Sequence, residues 1–112
     1  MEKTNVLTAT IANGASLSGA VPLGNGGLTR IAMPAAWTAA NLTFQTSYDG
    51  VTFANLYNHE GTEYTVQAAA SREILLPLAD FLGVRFIKIR SGTSAAAVAQ
   101  GAERSLKLVV QP

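Results

Sequence analysis

The sequence predicts an all-β protein, an antiparallel β-sandwich or small barrel of about nine short strands. Three observations carry this expectation. Apolar and polar residues alternate with period two along most of the chain, as in strands with one face buried. The candidate strands are short and evenly spaced, with Gly, Asn, Asp and Pro between them. At 112 residues, with no repeat, linker or composition break, residues 1–112 read as a single domain.

In chain order, "NVLTATIA" sets Leu7, Ala9 and Ile11 on one side and Thr8 and Thr10 on the other. Residues 1–10 are expected to form an extended N-terminal arm or an edge strand, able to add a strand to a neighbour's sheet. "ASLSGAV" places Leu17 and Val21 opposite Ser16 and Ser18, and "GNGG" (24–27) suits a hairpin tip that needs positive φ. "LTRIAM" is the next strand. "MPAAWTAAN" (33–41) is too long for a tight turn, and Pro34 pushes Met33 toward extended backbone. "NLTFQTSY" gives Leu42, Phe44 and Tyr48 against Asn41, Thr43, Gln45 and Ser47.

"VTFANLY", "EYTVQ" and "REILLPL" are further strands, and "LADFLG" (78–83) has room for one helical turn. In "VRFIKIR", Phe86, Ile87 and Ile89 do not share a face, which a bulge or burial on both sides would explain. "SGTSAAAVAQGAE" (91–103) has good helix formers but no amphipathic stripe. It reads as a long loop lying on another surface, with room for a short helix. "SLKLVV" closes the chain with Leu106, Leu108 and Val110 together.

Asp49-Gly50 stands between two of these strands, a strong hairpin signal. Asp bonds its own backbone and tolerates left-handed φ, and Gly adopts it without steric cost. A calcium site would need several oxygen ligands nearby, and no second carboxylate lies within ten residues on either side. Asp49 is therefore expected to turn the chain.

Composition narrows function further. Charged residues make up 13 %, about half of what a soluble domain usually carries. Charge keeps surfaces solvated and apart, so part of this surface is expected to be covered by other subunits; a Thr/Ser/Asn-rich monomer is the alternative. Net charge is +1 with the basic residues scattered, which leaves no footprint for nucleic acid. The absence of cysteine excludes disulfides, thiolate metal sites and cysteine nucleophiles. No apolar h-region opens the chain and no run approaches membrane-spanning length, so a cytosolic site of synthesis without a membrane partner is expected. Asn41-Leu42-Thr43 matches a glycosylation sequon by chance.

Candidates for chemistry are few. His59 beside Glu60 and near Glu63 could serve as an acid–base group or metal ligand, but "NHEG" also reads as a polar turn. No G-x-S-x-G elbow is present, and "GNGG" lacks the Lys-Ser/Thr of a phosphate loop. The seven carboxylates are Glu2, Asp49, Glu60, Glu63, Glu73, Asp80 and Glu103, and they suggest no facing pair. No catalytic residue, cofactor or metal is expected, and the protein is read as a non-enzyme. Trp37, the sole tryptophan, has three readings: a plug at one end of the sandwich, an anchor at a subunit contact, or a sugar-stacking platform. Tyr48, Tyr57 and Tyr64 could line a carbohydrate site with it, or simply face core or neighbour.

The stretches "SGAVPLG", "LTRIAMPAAWTAANLTFQTSYDGVTFANLYN", "GVRFIKIRSGTS" and "VAQGAERSLKLVV" together resemble small proteins encoded among phage and prophage structural genes. The likeness covers most of residues 16 to 110. Ser47 to Phe53 is also similar to a hairpin of galactose-binding-like, discoidin-type jelly rolls, although none of their binding residues can be placed on this chain. The resemblance implies a jelly-roll sandwich of eight or nine strands. It also implies a structural virion protein assembled in the host cytoplasm, a capsid decoration or cement protein that contacts the major capsid protein and copies of itself as a trimer or dimer. Residues 1–10 and 91–103 are the expected contact segments, and clipping 1–10 is expected to spare the fold while abolishing shell binding. The alternative is a tail- or fibre-associated carbohydrate-binding module using Trp37, Tyr48 and Tyr57.

Overall fold

Strand pairing folds the chain like a long hairpin rolled up on itself. The computed structural model describes residues 4–112. Among them are β1 (Asn5–Ile11), β2 (Val21–Pro22), β3 (Gly27–Ala32), β4 (Leu42–Ser47), β5 (Ala54–Asn55), β6 (Glu73–Leu75), α1 (Leu78–Phe81), β7 (Phe86–Ser91) and β8 (Arg104–Gln111). Each strand pairs antiparallel with one counted from the other end: β1 with β8, β2 with β7, β3 with β6 and β4 with β5. Rolling the hairpin then sets β8 beside β3 and β7 beside β4. The result is two four-stranded sheets, ordered β1-β8-β3-β6 and β2-β7-β4-β5, packed as a jelly-roll sandwich. Asp49-Gly50 is the tip of the roll.

Period-two alternation decides which side chains fill the space between the sheets. Leu106, Leu108 and Val110 of β8 meet Ala9 and Ile11 of β1 from the first sheet. Leu42 and Phe44 of β4 meet Ile87 and Ile89 of β7 from the second. Phe81 from α1 enters the same core, edge-on to Phe44 with ring centroids 5.6 Å apart. In β7 the side chains sort without a bulge: Ile87 and Ile89 point inward, while Phe86, Lys88 and Arg90 point outward. The bulge lies in β3, between Leu28 and Arg30. It lets Leu28 and Ile31, three residues apart, both reach the core.

Several expectations need correction. "GNGG" is a crossover between sheets and not a hairpin tip, because β2 pairs with β7 and β3 with β8. Gly26 is required there by close packing: an added Cβ would lie 2.5 Å from Val110 and 2.7 Å from the Gln111 carbonyl oxygen. "EYTVQ" forms no strand; it contributes only the bridges of Glu63 to Tyr57 and Val66 to Leu42 as the chain crosses between sheets. "VTFANLY" contributes only Ala54–Asn55, so the turn at Asp49 is a seven-residue loop and not a two-residue one. Residues 91–103 form no helix; after β7 ends, Gly92 at φ +88° starts a loop that bridges back at Ala97.

Residues 5–10 lie within β1, the edge strand of the first sheet, while residues 1–3 fall outside the described chain. All seven β1 residues are in register with β8, and Ala9 is 1 % exposed. Clipping 1–10 therefore cannot spare the fold. It would strip β8 of one neighbour and open the core at Leu106, opposite Ala9. The expected result is loss of cooperative thermal unfolding by circular dichroism, and a clipped chain as stable as the whole would contradict it.

Candidate functional site

The turn at the tip of the roll is built from its own side chains. Asp49 accepts hydrogen bonds from the backbone N–H of Val51 (2.8 Å) and Thr52 (2.9 Å) and from the Ser47 hydroxyl (2.8 Å). These bonds, that from Thr52 foremost, hold its carboxyl below the usual 3.8. Gly50 at φ +78° lies over Phe86, whose ring would stand 3.2 Å from an added Cβ. Asp49 is thus occupied in turning the chain.

The turn "NHEG" is likewise self-contained. Asn58 Oδ1 accepts from the backbone of Glu60 and Thr62, and Gly61 sits at φ +86°. His59 is exposed at its tip. Among the described residues no group of three or more His, Asp or Glu is placed to hold a metal ion.

A polar network that the sequence did not suggest lies on the outer face of the second sheet. Arg90 Nη1 pairs with Glu63 at 3.3 Å and also donates to Thr43 Oγ1, while Nη2 donates to Asn55 Oδ1 at 2.6 Å. Glu63 in turn accepts the Ser94 N–H, and Thr43 donates to the Gly92 carbonyl at 2.7 Å. Two long connections are so fastened down on β4 and β7. Gln100, 1 % exposed, does the same at the end of the sandwich: it accepts from Thr38 N–H and Arg104 Nε and donates to Thr38 O and Ser91 Oγ. Every buried side-chain nitrogen and oxygen among the described residues has a partner. The network ties these connections to the sheets.

The three aromatic candidates do not come together. Trp37, on the β3–β4 connection, packs half-buried against the core and donates its indole N–H to the Ala40 carbonyl at 3.0 Å. Trp37→Ala is expected to cost about 2 kcal/mol in urea unfolding, less than truncating a fully buried tryptophan; a change within a few tenths would place the ring outside the core packing. Tyr48, 81 % exposed, follows the other end of β4 and flanks a shallow depression with Thr52, Ala54 and Val84. Tyr57 lines a separate depression of about 420 Å³ with Leu56, Asn58, His59, Tyr64 and Asp80.

Tyr64 forms the floor of that second depression. Its ring stands edge-on to Phe81 at 5.3 Å, and its hydroxyl donates to Asp80 Oδ2 at 2.7 Å. Burial, then the bond to Asp80 and its charge, push the phenol from 10.0 up to about 12. The folded state thus favours the neutral ring. That stability is fully present below pH 10 and is lost as pH rises toward 12. Tyr64→Phe should flatten the stability profile over this interval in pH-dependent urea melts, and an unchanged profile would contradict the assignment.

Several large apolar residues are exposed on the described surface. Tyr48, Val51 and Leu82 are exposed on the loops after β4 and α1; Leu75 and Val6 are exposed on the opposite edge strands of the first sheet, β6 and β1, and Leu78 on α1. The run "ILLPLADFLG" hinted at this exposure: Leu76 and Phe81 are buried, and Leu75, Leu78 and Leu82 are left outside. Compared with known proteins, the chain matches no protein-family model and no curated protein.

Proposed function

We propose that the protein is a non-enzymatic structural component of a phage virion, a decoration or cement protein that seats on the major capsid protein and associates with copies of itself. The observation that carries this reading is that large apolar residues, Tyr48, Val51 and Leu82, stay exposed on the loops after β4 and α1 of a sandwich with little surface charge. Apolar area left open in this way contributes favourable free energy when another surface covers it. Repeated over the many equivalent positions of a shell, a modest contact becomes a firm one. The likeness of "MPAAWT" and "SYDGVTF" to phage structural proteins supports the same reading.

The test is co-sedimentation with capsids of the phage or prophage that encodes the chain. The wild type should pellet with them, and Val51→Glu and Leu82→Glu should each weaken pelleting while the circular dichroism spectrum stays unchanged. Failure of the wild type to pellet would overturn the reading.

A second reading, carbohydrate binding on a tail or fibre, is favoured by the depression at Tyr57. A half-exposed ring there stands beside Asn58, His59 and the Asp80 carboxylate. It requires saturable glycan binding that Tyr57→Ala removes without unfolding the protein.

A further inference from the structure

The four sheet edges of this sandwich are unequal. At one edge β2 is two residues long and includes Pro22. β5 is also two residues, and the chain after it folds back so that Tyr64 bonds to Leu56. β6 is three residues, carries Glu73 and is followed closely by Pro77. Shortness, proline, charge and cover are the usual means by which a sheet edge is kept from pairing with another chain. β1 has none of them. Its seven residues, Asn-Val-Leu-Thr-Ala-Thr-Ile, include no charge and no proline, and its register with β8 runs without a bulge. Among the described residues, the backbone of 5–11 bonds to no backbone groups but those of β8. Every second residue therefore directs its N–H and C=O outward without a backbone partner.

We infer that β1 pairs antiparallel with β1 of a second copy, joining two four-stranded sheets into one of eight strands. The self-complementarity is specific. Pairing all seven residues puts the two-fold axis at Thr8, so Thr8 faces Thr8, Leu7 faces Ala9, Val6 faces Thr10 and Asn5 faces Ile11 of the second copy. Inward-facing residues then meet inward-facing ones, and outward meet outward, as a continuous sheet demands. Leu7 points toward the core yet stays half-exposed, whereas Ala9 and Ile11 are buried, and the second β1 would cover it. Val6, 61 % exposed, also gains a neighbour. The one nearby charge is Lys107, whose Nζ donates to Thr8 Oγ1 at 2.9 Å; it is exposed, so in the dimer the two ammonium groups can swing out into solvent, where salt screens them. The inference names the surface for the self-association included in the virion reading but rests on no shell contact. A dimer that ignores capsids would sink that reading and leave this one standing.

The experiment is sedimentation equilibrium of the full chain with two substitutions at the axis. The wild type should approach twice the 11.7 kDa of one chain as concentration rises. Thr8→Lys should remain a folded monomer, since the new cation adds to the Lys107 ammonium already beside Thr8 and faces its twin across the axis. With no native cysteine in the chain, Thr8→Cys treated with oxidised glutathione should yield an interchain disulfide, reversed by reductant. Val6→Cys, off the axis, should yield little. A wild type that stays monomeric at millimolar concentration, an unweakened dimer in Thr8→Lys, or equal crosslinking of the two cysteine variants would overturn the inference.

Discussion

Phe44→Ala is expected to cost about 3–5 kcal/mol, the largest effect of any single truncation in this protein. Phe44 lies in the middle of β4, is fully buried, and packs against Phe81 edge-on and against Tyr64 at 6.1 Å. The three rings tie the second sheet to α1 and to the crossover that carries Tyr64, so removing the central one leaves a cavity that no neighbouring strand can fill without breaking its register. A domain of this size has about 5–15 kcal/mol of total stability, so the variant should lose at least about a fifth of it. Its Tm should fall by at least about 12 °C in a calorimetric scan. A loss below about 1 kcal/mol would mean that the aromatic cluster is not the centre of the core.

Arg90→Ala should cost nearly as much by a different route. Its side chain is 8 % exposed and that of Glu63 15 %. Removing the guanidinium strands the Glu63 carboxylate with little water and leaves Asn55 Oδ1 without its 2.6 Å donor. Breaking such a pair from one side typically costs about 3–5 kcal/mol, because the remaining charge is uncompensated. Two features distinguish this from a surface ion pair. Combining Arg90→Ala with Glu63→Gln should cost less than the sum of the single changes by about 1 kcal/mol or more, since the stranded charge is gone. The loss should also barely change with salt, unlike that of the exposed Arg30–Glu73 pair at 3.2 Å. Amide exchange should quicken first at Ser94, whose N–H the Glu63 carboxylate accepts. Additive losses would mean that the pair is not coupled.

Legibility in the sequence followed the range of the interactions involved. "NVLTATI" and "SLKLVV" reveal both their strand character and their buried face because the alternation is local and unbroken. Asp49-Gly50 reveals its turn because every hydrogen bond that makes it comes from within three residues. Arg90 and Glu63, 27 residues apart, carry no mark of their pairing, since only the wrapping of the second sheet brings them together. "EYTVQ" alternates well enough for a strand, but only Glu63 and Val66 find bridge partners, in Tyr57 and Leu42. Trp37, Tyr48 and Tyr57 look like one aromatic set in the sequence; β4 separates the first two by its whole length.

By itself, then, the sequence determined the class of the fold, the position of most strands, the turn at the tip of the roll and the scarcity of chemical groups. Each of these follows from periodicity, turn chemistry and composition, which act over a few residues at a time. Tertiary structure alone decided that "GNGG" crosses between sheets, that β3 bulges so that Leu28 and Ile31 share the core, and that Arg90 is buried beneath two loops. It also decided which apolar residues remain outside. Leu76 and Leu75 are adjacent and chemically identical, yet one is buried and the other 74 % exposed, because pairing of β6 with β3 orients their side chains and only the packed sandwich supplies a face for one of them.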